Sequence, residues 1–148
     1  MGVRMDKKDF NEYLSGRYDD QVKYYSNRAA LNKNLNYLFQ GIIIIASSIV
    51  PIFAALEYKE FTIILSAIVA ISSGILGLCK FGNKWHIYRN TSETLKQEKS
   101  YYKSKSYDYG KVNDPEQLFV ERVESIILKE RKDWSTILKK DKDKKKNN

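Results

Sequence analysis

The sequence predicts an all-α membrane protein: an antiparallel two-helix transmembrane hairpin with long cytoplasmic helical extensions and a third packed cytoplasmic helix. Three observations predict it. Residues 34–56 and 61–79 carry no charged side chain, whereas the rest of the 148-residue chain is crowded with Lys, Arg, Asp and Glu. Only Glu57-Tyr58-Lys59-Glu60 separates the two apolar runs. The polar flanks repeat their apolar residues at helical spacing, and no segment reads as a convincing strand. The negative mean hydropathy averages two kinds of chain and describes neither.

The first element is a helix over about 10–34, with a short start helix or frayed end before Tyr13. It contains no Pro, and its only Gly is Gly16. Leu14, Tyr18, Gln21, Tyr24 or Tyr25, Arg28, Leu31, Leu35 and Leu38 recur at three- and four-residue spacing, a narrow apolar-aromatic seam on a mostly polar helix. The helix is expected to run directly into the first span.

The spans are expected at about 35–56 and 61–79. A hydrocarbon core about 30 Å thick takes roughly 20 apolar residues at about 1.5 Å per residue, and both runs reach that length. A soluble two-helix core would show an apolar stripe with a polar back. Here Ile42-Ile43-Ile44-Ile45 covers every direction of the wheel. The four-residue linker forces an antiparallel hairpin with both chain ends on one side. Tyr37 and Phe39 fall near one interface, Tyr58 and Phe61 near the other, where an apolar ring with a wet hydroxyl is favoured. Arg28, Lys33, Lys80, Lys84 and Arg89 flank the outer ends, whereas the turn has Lys59 against Glu57 and Glu60. Both termini are therefore expected in the cytoplasm, with the spans in a bacterial cytoplasmic membrane. Pro51 removes one backbone hydrogen bond from the first span and is a candidate hinge. Ser47 and Ser48, one turn earlier, are placed to re-satisfy the freed carbonyl.

After the second span a cytoplasmic helix is expected over about 80–107, carrying Phe81, Trp85, Tyr88, Leu95 and Tyr102 and ending before Gly110. Asn90, Thr91 and Ser92 lower helix propensity and mark the place for a break. A third helix is expected over about 115–139. Asp114 suits the cap, Pro115 the first helical position and Glu116 the positive end of the dipole. Phe119, Val123, Ile126, Ile127, Trp134 and Ile137 share one face, within about 80° of Phe119 at 100° per residue. Glu130 lies inside that stripe, either as a rim carboxylate or as a buried partner of an Arg or Lys. Together 10–138 form one helical membrane domain. The basic tail 139–148, which holds much of the net charge of +8, is expected to be disordered, with weak attraction to anionic headgroups.

The second span has two faces. Thr62, Ser66, Ala70, Ser73 and Gly77 lie within an arc of about 80°. Ile63, Ile64, Leu65, Ile68, Val69, Ile71 and Leu76 occupy the rest. The small face either packs helices, since small residues let backbones approach in lipid, or lines a narrow pore between copies. Lys80 and Lys84 would then stand at the cytoplasmic mouth.

Several classes of function lack residues to carry them. One cysteine, Cys79, makes no intrachain disulfide, and with the single His86 it shows no metal-ligand spacing. No nucleophile–base constellation and no phosphate loop appear, so no enzyme and no cofactor are expected. Neither span contains an acid, a base or a histidine, which removes the basis for a proton relay. The basic charge comes without a nucleic-acid motif or aromatic platform, so nucleic acid is not an expected partner. No secretory signal peptide is expected ahead of the first span, and the abundance of Lys, Asn, Ile and Tyr is given no functional weight.

Three stretches in order carry a resemblance: "QVKYYSNRAALNKNLNYL" before the first span, "KWHIYRNTSETLKQEKSYY" after the second, and "DPEQLFVERVESIILKERKDW" beyond. From Tyr13 to Trp134 the chain resembles the SLATT group of bacterial proteins and a related, uncharacterised two-transmembrane-helix family. The resemblance implies two membrane helices flanked by cytoplasmic helices. It also implies a homo-oligomeric, pore-forming effector of a bacterial conflict system, activated by a cytoplasmic sensor or signalling protein. It carries over no active residue. The alternative is a non-conducting anchor that recruits a cytoplasmic partner through the Phe119–Ile137 stripe.

Overall fold

The chain folds almost entirely as helix. The structure is a computed structural model that describes the backbone of residues 6–146 and the side chains of residues 6–132. In order, it forms α1 (Lys7–Tyr13), a π-helical turn (Leu14–Tyr18), α2 (Asp19–Ala55), α3 (Lys59–Cys79), α4 (Phe81–Lys103), a 3-10 turn (Tyr107–Gly110) and α5 (Pro115–Lys146). No strand occurs among the described residues. Contacts divide the chain into two units, one made of residues 1–26 and 87–148, the other of Asn27–His86.

The first unit has an aromatic core. Phe10, Tyr18, Tyr25, Leu95, Tyr109, Phe119, Val123 and Ile127 are its buried members. The Phe119 ring meets Tyr102, Tyr18 and Phe10 at centroid separations of 5.3, 5.4 and 5.8 Å. The π-helical turn brings Phe10 and Tyr18 into this core together. In a regular helix residues that far apart would diverge by about 80°, and the wider π turn takes up most of that angle.

Each buried tyrosine hydroxyl finds an acceptor, as burial of a phenol demands. Tyr18 donates to the Leu95 carbonyl at 2.8 Å, Tyr13 to Glu124 at 3.1 Å, Tyr102 to Glu116 at 3.1 Å and Tyr25 to Glu130 at 3.3 Å. Tyr109 donates to Glu98. Two of these carboxylates are held in turn by guanidinium groups. Arg17 grips Glu124 with two parallel bonds, one of them Nη2 to Oε2 at 2.7 Å. Arg122 reaches Glu98 at 3.3 Å and also holds Asp108. The hydrogen bonds from Arg17 depress the Glu124 carboxyl below its usual range, against the opposing effect of burial.

Helix α5 starts as its sequence dictates. The Gln117 N–H donates to Asp114 Oδ1 at 3.0 Å, and Pro115 opens the helix. Phe119 and Val123 are completely buried, and Ile126 packs partly buried against them. The side chains of Trp134 and Ile137 lie outside the described residues. Glu130 is buried, so the rim position is overturned, and it accepts a hydrogen bond from the Tyr25 hydroxyl. The backbone of 139–146 is helical where a disordered tail was expected, in keeping with the high helix propensity of Lys.

The break after the second apolar run falls elsewhere than expected. Helix α4 passes unbroken through Asn90, Thr91 and Ser92. Thr91 Oγ1 donates to the Ile87 carbonyl at 3.0 Å, and Ser92 shares a 2.7 Å hydrogen bond with Ser26, so packing overrides propensity. It ends at Lys103, short of 107. In the following turn Lys105 and Tyr107 take positive φ. Gly110 sits where any Cβ would lie 2.9 Å from the Lys105 carbonyl oxygen.

The actual interruption is Lys80, in the left-handed region at φ 48° and ψ 44° between α3 and α4. A phase argument explains it. Along α3 the half-buried and buried positions are Thr62, Leu65, Val69, Ser72, Ile75, Leu76 and Cys79, and all but Ile75 alternate three and four. An unbroken helix would continue that series at Asn83 and His86. With Lys80 turned left-handed, the series continues at Gly82 and Trp85, and Asn83 and His86 face outward. One strained residue thus turns two polar side chains outward and brings in an indole and a glycine, at which a Cβ would lie 3.5 Å from Asn36 Oδ1.

Two predictions follow from these arrangements. Replacing Lys80 with Gly removes the left-handed strain and raises stability by about 1 kcal/mol, whereas Lys80→Ala, which keeps the strain, gives no such gain. Thermal unfolding in mild detergent checks this, and equal melting points for Gly and Ala would refute it. Burial, before any neighbouring charge, raises Tyr18, Tyr25 and Tyr102 from 10.0 to about 12. The neutral phenols therefore stabilise the fold fully below pH 10, and that contribution is lost as pH rises from 10 through 12. Tyrosinate absorbance should rise late and together with loss of tertiary circular dichroism. Ordinary titration near 10 with the fold intact would refute it.

Candidate functional site

The second unit is an antiparallel pair of apolar helix segments. At the turn Phe53 meets Phe61 at 5.6 Å and Tyr58 at 6.0 Å, and the Tyr58 N–H donates to the Phe53 carbonyl at 3.0 Å. Glu57 takes φ 60° to reverse the chain. At the other end Phe39 stacks on Phe81 at 6.0 Å and Tyr37 meets Trp85 at 6.1 Å. Residues early in the first helix meet residues late in the second, which is the pairing a four-residue linker requires.

The most completely buried residues of the two helices are small or polar, with larger apolar side chains half-buried between them. Along α2 buried or half-buried Ala29, Asn32, Asn36, Phe39, Ile43, Ala46, Val50 and Phe53 alternate three and four like a coiled-coil seam, flanked by half-buried Leu35, Gly41, Ile42 and Ile49. Ala46 and Ser72 are the most buried residues of the two apolar runs, 6% and 5% exposed. The bulky aliphatics point the other way: Ile63 is 68% exposed and Leu78 80%. The expected seam through Leu31 and Leu38 is corrected accordingly. Both are exposed, and Ala29, Asn32 and Phe39 take the inward positions, because close helix approach selects side-chain size before apolarity.

The small stripe of the second helix is divided by the structure. Thr62 is half-buried at the seam, with Oγ1 donating to the Tyr58 carbonyl at 3.0 Å. Ser66, Ala70, Ser73 and Gly77 are exposed, about 100° round the helix from the seam. A Cβ built on Gly74 or Gly77 meets nothing within 4 Å. These residues therefore do not join the two helices of one hairpin. The contact serine is Ser72, which sequence reasoning passed over. The signal that finds it is the three-four alternation through Thr62, Val69, Ser72 and Leu76.

Pro51 is exposed, and α2 runs through it to Ala55. Ser47 Oγ donates to the Ile43 carbonyl at 2.6 Å and Ser48 Oγ to the Ile44 carbonyl at 2.7 Å. These bonds reach back one turn and do not serve the Ser47 carbonyl that Pro51 leaves without its usual donor. Lys80 and Lys84 lie at the end of the hairpin that holds Phe81 and Trp85, Lys84 half-buried. Cys79 is a free thiol, half-buried on the seam. Among the described residues no group of three His, Cys, Asp or Glu side chains could hold a metal ion.

Both apolar helices are long and apolar enough to cross a membrane, and 6% of the residues in each apolar window are buried within the chain. No curated protein and no solved structure matches this chain. One family model does match, over residues 20–117, from the start of α2 to the first turn of α5, taking in both apolar helices. The chain belongs to that family, the proteins of unknown function designated DUF4231.

Proposed function

We propose that this protein is a SLATT-like integral membrane protein of the bacterial cytoplasmic membrane, with both termini in the cytoplasm. Copies assemble into a pore-forming effector that permeabilises the membrane when a partner or signal outside this chain triggers it. The observation that carries the reading is the inverted hairpin. Ala46 and Ser72 are inside, while Ile44, Ile63, Ile71 and Leu78 are outside. The core helix of a soluble protein would be buried along its apolar window, and water would penalise so large an exposed aliphatic surface. Lipid reverses both terms, favouring aliphatic exposure and close packing of small residues.

Two helices cannot enclose a pore, so conduction requires several copies. The exposed Ser66, Ala70, Ser73 and Gly77 supply the narrow, hydroxyl-bearing face such an assembly would turn toward its axis. Lys80 and Lys84 stand at one end of that helix. Of the stripe that the scaffold alternative uses, Phe119 and Val123 are buried in the core of their own unit, and the side chains of Trp134 and Ile137 lie outside the described residues. The chemistry proposed is permeation.

Leakage of ions or a small dye from liposomes tests the reading. The Ser66→Leu/Ser73→Leu double variant should insert normally, as judged by flotation, yet lose at least about tenfold of the triggered leakage, since two bulky side chains would occlude a narrow pore. Unchanged leakage in that variant would remove this face from the pore wall. A strictly monomeric mass in mild detergent would remove the pore.

A further inference from the structure

Charge along the second unit is polarised. Its carboxylates, Glu57 and Glu60, both sit in the turn beside Lys59. Arg28, Lys33, Lys80 and Lys84 all lie toward the opposite end, where no acid of this unit is present. That end is also aromatic. Beyond the Phe39–Phe81 stack, Tyr37 packs against Trp85 and Trp85 stacks on His86 at 4.6 Å. The Lys33 ammonium stands 5.9 Å from the Tyr37 ring centroid and 5.7 Å from that of Trp85.

Ring faces hold an ammonium in place without neutralising it, because their attraction is quadrupolar. Lys33 is therefore a positioned cation, with Lys84 half-buried on the neighbouring helix. We infer that this collar binds the phosphate of anionic phospholipids, with Lys33 and Lys84 as the ligating cations and Tyr37 and Trp85 fixing the depth of the headgroup. The inference rests on the proposal that the hairpin lies in a bilayer. Charge complementarity selects an anion. The exposed aliphatic face that begins beside the collar selects one that carries acyl chains, which a free phosphate does not. Tyr and Trp rings at such a level match the boundary between chains and headgroups.

The test uses full-length protein in vesicles of phosphatidylcholine alone or mixed with phosphatidylglycerol. Flotation reads insertion, and native mass spectrometry after mild detergent extraction reads retained lipid. Wild type should insert in both and retain phosphatidylglycerol selectively. Lys33→Gln and Lys84→Gln should each insert normally and weaken that retention about fivefold, the factor equivalent to about 1 kcal/mol per cation at an anionic surface. Lys59→Gln, at the other end, should retain it as wild type does. Insertion without lipid preference, or equal loss in Lys59→Gln, overturns the collar while leaving the membrane reading standing. Failure to float overturns both. Displacement of the lipid by soluble glycerophosphate would show a free-phosphate site and overturn the lipid assignment.

Discussion

Close approach of α2 to its partners, at positions spaced alternately three and four apart, is the constraint on which both units depend. Left-handed helix pairing needs one side of each helix to return to the seam every three and a half residues. In the second unit the most buried positions are alanine, asparagine and serine, with Phe39, Ile43, Val50 and Phe53 half-buried between them, and Ile44, Ile63, Ile71 and Leu78 face outward. In the first unit the same alternation is met by Tyr18, Val22 and Tyr25.

The phase of that seam accounts for the two irregularities in the helices. The π-helical turn at Leu14–Tyr18 and the left-handed Lys80 each adjust a helix that would otherwise drift off the seam. The π turn widens the helix and delays the phase; the left-handed residue skips it forward. Each occurs where continuing the regular helix would put the wrong side chains inside. Tyrosine, which the composition alone left without a role, is what closes the first unit. Its rings fill the core around Phe119, and its hydroxyls bring Glu98, Glu116, Glu124 and Glu130 to the margin of that core with a donor for each. A carboxylate so placed carries its desolvation cost only because a phenol or guanidinium meets it.

What was legible in the sequence was what depends on local chemistry. Uncharged runs give the extent of the apolar helices, Glu57 to Glu60 gives the turn, and Asp114-Pro115 gives the start of α5. Phe119 and Val123 were legible because a soluble-type core selects apolar residues, and apolarity is what periodicity detects. The same criterion misleads within the second unit. There the most buried positions are small or polar, so a hydrophobic pattern cannot separate inside from outside, and it chose Leu31 and Leu38 over Ala29 and Asn32. Grouping small residues found Ser73 and missed Ser72, because two adjacent serines are distinguishable only by the phase of the partner helix. Lys80 carries no local signal, since lysine is among the residues that avoid positive φ, and only the mismatch between two seams explains it.

The small face raises a question of consistency: whether hydroxyls can lie against lipid in a resting protein and against water in a conducting one. The hairpin shows how the first condition is met. Ser47, Ser48 and Thr62 each donate to a carbonyl one turn earlier on their own helix. A hydroxyl so engaged has no donor left to satisfy, and a short side chain lies flat against the helix, so exposure to an apolar medium costs little. The same bond is weak enough to exchange for water, since a net hydrogen bond contributes only about 1 kcal/mol. A face built from serine, alanine and glycine is thus compatible with lipid, with another helix and with a wet lumen. A face of asparagine or aspartate would be held to the last two, and a face of isoleucine to the first two. Under the proposed function, opening then requires rotation or separation of such faces.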